Sequence, residues 1–190
     1  MNMKNQFNRL NSLLVLLIIA TFLSCEKDIS EEEVGIENVF IPQSISASTT
    51  DNNYAVPGTI NYGAAKNFKD DEQANKVLIY LGVSKSGKAE TQAFTVNITS
   101  RTDTINQIIA GGSNLVLLPT SAFSIPASVS LGAGESTANF NMVIDKPTLK
   151  TFAGKKVAAC ISLANTTRYT LNDKTKKVIV IIDVNALQLK

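Results

Sequence analysis

Two hydrophobic patterns divide this chain. Near the N-terminus, Leu13 to Leu23 is an almost unbroken apolar run. From Val34 onward the apolar residues recur with period two, the spacing of a strand with one face toward a core. Val39-Phe40-Ile41 opens a strand that Pro42 limits or places at an edge. Tyr54, Val56 and Ile60 lie in a polar stretch rich in Asn and Gly, expected to be a meandering edge. Val77 to Val83 is apolar on both faces, so a central strand is expected there. Gly87 marks a turn, and Phe94, Val96 and Ile98 alternate with Thr95, Asn97 and Thr99 as a half-buried strand expected to pair back as a hairpin.

Thr102 to Ala110 breaks the period. Ile105, Ile108 and Ile109 share a helical face, Thr102 or Asp103 is a candidate cap, and Gly111-Gly112 ends the segment. A short helix plugging one end of the fold is expected. Strand signals then resume at Leu115 to Leu118, Phe123 and Ile125, Val129 and Leu131, Phe140 to Ile144, Val157 to Leu163, and Val178 to Val184. Short strands with turn chemistry between them predict an all-β fold: an immunoglobulin-like Greek-key β-sandwich of seven or eight strands with one short helix. It fills residues 37–190 as a single domain, with no internal repeat.

The first apolar run is too short for a stable membrane span, which needs roughly 20 residues. Lys4 and Arg9 precede it, Ser24 is small, and charge begins at Glu26, the layout of a signal peptide over residues 1–24. Phe22-Leu23-Ser24-Cys25 resembles a lipobox, with Phe22 standing where Leu is commoner. Cys25 is therefore expected to carry the lipid as the first residue of the mature chain, with residues 25–36 as lipidated Cys and tether. Two or three acyl chains give stable anchoring, since each buried CH2 adds roughly 0.8 kcal/mol. Residues 26–33 hold five acids and one base and form a solvated linker. Acidic residues behind a lipidated Cys also resemble the surface-export signal of Bacteroidetes-type lipoproteins. The expected location is the outer membrane, lipid-anchored at the cell surface, with the periplasmic face as the alternative.

Removing the signal changes the charge picture. The 18 basic residues lose Lys4 and Arg9, leaving 16 against 16 acidic ones. A neutral domain without a basic stripe is a poor nucleic-acid binder. The chain has no His, which excludes a Ser-His-Asp triad, a Cys-His pair and a His-based zinc site. Asp70-Asp71-Glu72 matches no calcium-loop spacing and reads as a solvated loop. Cys160, in the apolar run Val157 to Ile161, reads as a small buried hydrophobe. With Cys25 acylated, no intrachain disulfide forms. No catalytic residue, metal site or cofactor is expected, and the protein is expected not to be an enzyme.

Glycan recognition usually uses aromatic platforms, and Trp is absent. Tyr54 and Tyr62, with Asn53 and Asn61 beside them, are the candidate sugar-binding residues, since rings stack and amides hydrogen-bond. The competing reading is that both tyrosines pack the sandwich edge.

In the C-terminal half, Leu118-Pro119, Phe123, Val129 and Leu131, Gly134, and Phe140-Met142-Ile144 occur in an order that resembles the Bacteroidetes lipoprotein family known as domain of unknown function 1735. Tyr169-Thr170-Leu171-Asn172 fits as well, and the resemblance covers about residues 38 to 184. Phe123 replaces the commoner Tyr, and Lys156 to Leu163 lacks a Tyr-x-Leu-Pro pattern. The resemblance implies an immunoglobulin-like β-sandwich standing at the N-terminus of surface lipoproteins in glycan-utilisation systems, here expected to stand alone, and it carries no site residues. The expected function is thus a membrane-anchored, non-enzymatic lipoprotein, an accessory binding module whose partners are the membrane and glycan or other surface proteins, with no nucleic acid. The alternative is a structural or adhesive, fimbrial-type subunit acting through protein-protein contacts, with Val178 to Val184 as a candidate donor strand.

Overall fold

In the computed structural model, residues 37–45, 52–58, 65–87 and 92–189 are described. Cys25, the signal and tether, Asn61 and Tyr62 lie outside the described residues. Residues 35–190 make one compact unit that carries its own core.

Alternation along the strands builds two sheets. The first contains β1 (Asn38–Phe40), β3 (Phe68–Asp71), β4 (Lys76–Lys85), β7 (Phe123–Ser124), β9 (Thr137–Asp145) and β11 (Thr170–Leu171), ordered β11-β1-β4-β9-β7 with β3 beside β4. The second contains β2 (Asn53–Val56), β5 (Phe94–Ser100), β6 (Val116–Leu117), β8 (Ser128–Leu131), β10 (Lys156–Thr166) and β12 (Lys177–Asp183), ordered β2-β12-β10-β5-β8 with β6 beside β10. The chain crosses repeatedly between the sheets, as expected of a Greek-key sandwich. Among the described residues there are twelve strands rather than seven or eight, because β1, β6, β7 and β11 are only two or three residues long. Among the described residues there are two α-helices, not one: α1 (Thr102–Ala110) and α2 (Lys146–Lys150).

The core lies between the sheets. Val77, Ile79, Leu81 and Val83 of β4 and Phe140, Met142 and Ile144 of β9 face Val96 and Ile98 of β5, Ile161 and Leu163 of β10 and Val180 and Ile182 of β12. β4 is central, with β9 on one side and β1 and β3 on the other. The expected β4–β5 hairpin does not form. β5 pairs with β10 and β8 in the opposite sheet. Local alternation sets which face of β5 is buried, and the crossover decides its partner.

Two buried lysines tie first-sheet strands to their surroundings. Lys146, at the start of α2, pairs with Asp70 of β3. Lys85 lies 2.6 Å from Glu37 and 4.6 Å above the Tyr169 ring. The expected solvated loop at Asp70-Asp71-Glu72 is instead the end of β3 and the turn into β4. Asp71 accepts the Ala74 N–H at 3.0 Å and the Lys69 ammonium at 3.0 Å, which hold its carboxyl below the usual range. These carboxylates serve the strand end.

Candidate functional site

A groove runs along the outer face of the second sheet, and α1 makes one of its walls. The helix is placed by a second, smaller hydrophobic cluster. Ile105 is fully buried against Ala158 and Cys160 of β10 and Ile179 of β12, with Ile108, Ile109, Leu115, Leu117 and Ile181 around them. Ala158 and Cys160 are small, which lets the helix approach the sheet closely. The Arg101 N–H donates to the Cys160 carbonyl at 2.9 Å and fixes the entry. Gly112, at φ +93, ends the helix in a conformation that a side chain would strain.

Two expectations change here. The helix covers the outer face of a sheet rather than an end of the sandwich, because β10 and β12 present apolar residues on both faces. Neither Thr102 nor Asp103 caps it. Arg101 holds the N-cap position, and Asp103 in the first turn binds the Arg101 guanidinium through two contacts of 3.0 and 2.7 Å. Each partner stabilises the charged form of the other, lowering the Asp103 pKa and raising that of Arg101. Cys160 is buried as expected, and burial pushes its thiol pKa up.

Between α1 and the β2–β12 edge the surface opens into a groove of about 580 Å³. Its floor and apolar wall are Ile108, Leu115 and Ile179. Thr104 and Gln107 line it from the helix, Asn53 from β2 with Asn52 just before it, and Lys177 from β12. Asn52 is engaged structurally: its side chain donates to the Lys174 carbonyl at 2.8 Å, and its own carbonyl accepts the Ile179 N–H at 2.8 Å. Asn53 and Gln107 are exposed and face the groove. The arrangement offers amide and hydroxyl groups beside an apolar strip, with one ammonium group. Such a surface suits hydrogen bonding and burial of a small polar molecule, in the size range of ordinary ligand sites.

The sequence-derived candidates divide across β2. Successive side chains of a strand point to opposite faces, so Asn53 and Tyr54 do not share a site. Asn53 lines the groove, whereas Tyr54 packs against the sandwich core. The Tyr54 hydroxyl donates to the Tyr80 carbonyl at 3.2 Å, bridging the two sheets. Burial raises its phenol pKa, with a smaller opposing effect from Asn67. Asn67, itself buried, donates to the Ala55 carbonyl and accepts the Gly58 N–H, each at 2.8 Å, so it holds the end of β2. Asn61 and Tyr62 lie outside the described residues. Sequence reasoning missed Thr104, Gln107 and Lys177. The polar positions of α1 were the available signal, but nothing local links them to residues 52 or 177.

The fold has relatives among solved structures. A candidate carbohydrate-binding protein from Bacteroides ovatus is similar at TM-score 0.54 and 13% identity, over 76% of this chain and 36% of that one. A multidomain protein including domain of unknown function 1735, also from Bacteroides ovatus, is similar at TM-score 0.51 and 14% identity, over 76% of this chain and 44% of that one. A two-domain protein of unknown function from Bacteroides fragilis reaches TM-score 0.51 at 12% identity, over 83% and 49%. At such identities the likeness is one of fold, and this chain spans between about a third and a half of each of those proteins. No curated protein matches the chain. Residues 36–170, more than half of the sequence, match the profile of a family described as "-like, N-terminal domain", and the protein belongs to that family of N-terminal domains.

Proposed function

We propose that this protein is a non-enzymatic, lipid-anchored surface module that captures glycan for a glycan-utilisation system, and that it is a domain of the 1735 kind. The observation that carries the reading is the groove between α1 and the β2–β12 edge, where exposed side-chain amides stand beside an apolar strip. Sugars present that pairing of hydroxyls and apolar ring faces. The anchor rests on the N-terminal sequence pattern ending at Cys25. The family membership and the fold likeness to a candidate carbohydrate-binding protein support the same reading. Against the adhesive alternative stands β12. Its two neighbours, β10 and β2, pair it on both edges, so it is not available as a donor strand.

The test is a polysaccharide array probed with soluble residues 26–190, which include all of the core. Binding to a defined polysaccharide is expected, weakened about tenfold or more by Gln107→Ala and Asn53→Ala and unchanged by Tyr54→Phe. Folded protein that binds no polysaccharide overturns the proposal.

A further inference from the structure

The lysines of this protein fall into a pattern with one departure. Among the described residues, Lys76, Lys85, Lys146, Lys176 and Lys177 are the lysines that are not fully exposed. Four of them hold a carboxylate: Lys76 with Asp145, Lys85 with Glu37, Lys146 with Asp70 and Lys176 with Asp173. Lys177 makes no ion pair among the described residues, and it is the one that lines the groove. An ammonium group on the wall of a partly apolar groove attracts a group of opposite charge.

Among the described residues, the surroundings do not supply that charge. Lys177 opens β12 on the face that carries Ile179 and Ile181. No carboxylate occurs among the described groove residues. The nearest acid on α1, Asp103, is bound at two points by Arg101, so that pair is neutral. The described groove residues therefore carry a net positive charge, with Thr104, Gln107 and Asn53 as uncharged polar groups beside Lys177.

We infer that the groove binds an acidic saccharide, with the Lys177 ammonium taking its carboxylate or sulfate group. This rests on the glycan-capture reading above and narrows it to a charge class. The Lys177 ammonium supplies attraction and the side-chain amides fix the ring orientation, so affinity falls as salt screens the pair.

The experiment is calorimetric titration of residues 26–190 with three probes: oligogalacturonate, a sulfated galactan oligosaccharide and neutral maltooligosaccharide. Lys177→Met keeps the aliphatic stem, Lys177→Arg keeps the charge, and thermal melts check that both variants fold. Binding of at least one acidic probe is expected, tighter than any neutral one. It falls tenfold or more in Lys177→Met, persists in Lys177→Arg, and weakens between low and high salt. The acidic probe that binds tells carboxylate from sulfate recognition. Acidic binding unaffected by Lys177→Met overturns the assignment. Binding of the neutral probe alone overturns it too, while leaving glycan capture standing. No binding here or on the polysaccharide array overturns both.

Discussion

The two sheets of this sandwich share a core but have different outer faces. On the second sheet, Ala158, Cys160 and Ile179 point outward and are buried by Ile105 of α1. On the first sheet, the outward residues of β4 and β9 include Leu78, Tyr80, Asn139 and Asn141, all partly or fully exposed. Both β4 and β12 read as nearly continuous apolar runs in the sequence. The lesson is that an apolar run marks a central strand, but only a covering element turns its outer face into a second core. Where that cover stops short of the sheet edge, a groove remains, and here it holds the candidate site.

The sharpest way to break the comparison is to remove the same amount of side chain from each outer face. Ile105→Ala is expected to cost about 2–4 kcal/mol, as for a fully buried aliphatic residue, and to reshape the groove. Leu78→Ala, half-buried on the first sheet, is expected to cost under about 1.5 kcal/mol. Urea unfolding of the two variants checks this, and equal losses would mean that the first sheet is covered as well.

Next in size is Asp70→Ala, which leaves the Lys146 ammonium buried without its partner. Removing one member of a buried pair costs about 3–5 kcal/mol, and because the Asp70 side chain is 21% exposed, a loss of about 2 kcal/mol is expected in the same measurement. Ligand binding on the other sheet is expected to stay unchanged.

Tyr54→Phe, which removes the inter-sheet bond to Tyr80, is expected to cost about 1 kcal/mol. Its effect on pH dependence is more telling. Burial raises the pKa values of Tyr54 and Cys160, so the folded protein keeps protons that the unfolded chain releases. Their contribution is complete below the ordinary values, about 8.5 for Cys and about 10 for Tyr, and is lost as pH rises through the raised ones. Thermal melts from pH 8 to 11 are expected to show falling stability, with a shallower fall above pH 10 in Tyr54→Phe. The smallest effect is expected for Asp103→Asn, whose ion pair with Arg101 is exposed, so the melting midpoint stays in place.

Legibility followed the range of each interaction. Strand positions such as Val77 to Val83 and Phe140 to Ile144 were readable because alternation is written in neighbouring residues. The helix at Thr102–Ala110 was readable from the spacing of Ile105, Ile108 and Ile109 and from the two glycines after it. Its seat was not, because the small residues that receive it, Ala158 and Cys160, lie some fifty positions away in the chain and looked like ordinary strand positions. The partner of β5 and the strands β3 and β11 were hidden for the same reason. Of the candidate site, Asn53 was legible as an exposed amide, while its separation from Tyr54 became clear only once β2 was known to be a regular strand.

By itself the sequence determined an all-β chain with one helix of amphipathic spacing, a net charge of only +2 and no histidine chemistry, since each is set by composition or by side chains a few residues apart. The tertiary structure decided that β5 joins the second sheet, that α1 lies across its outer face, and that residues 53, 107 and 177 meet in one groove. Those outcomes depend on which distant surfaces bury each other best once the chain crosses between sheets. That competition between long-range contacts has no local signature.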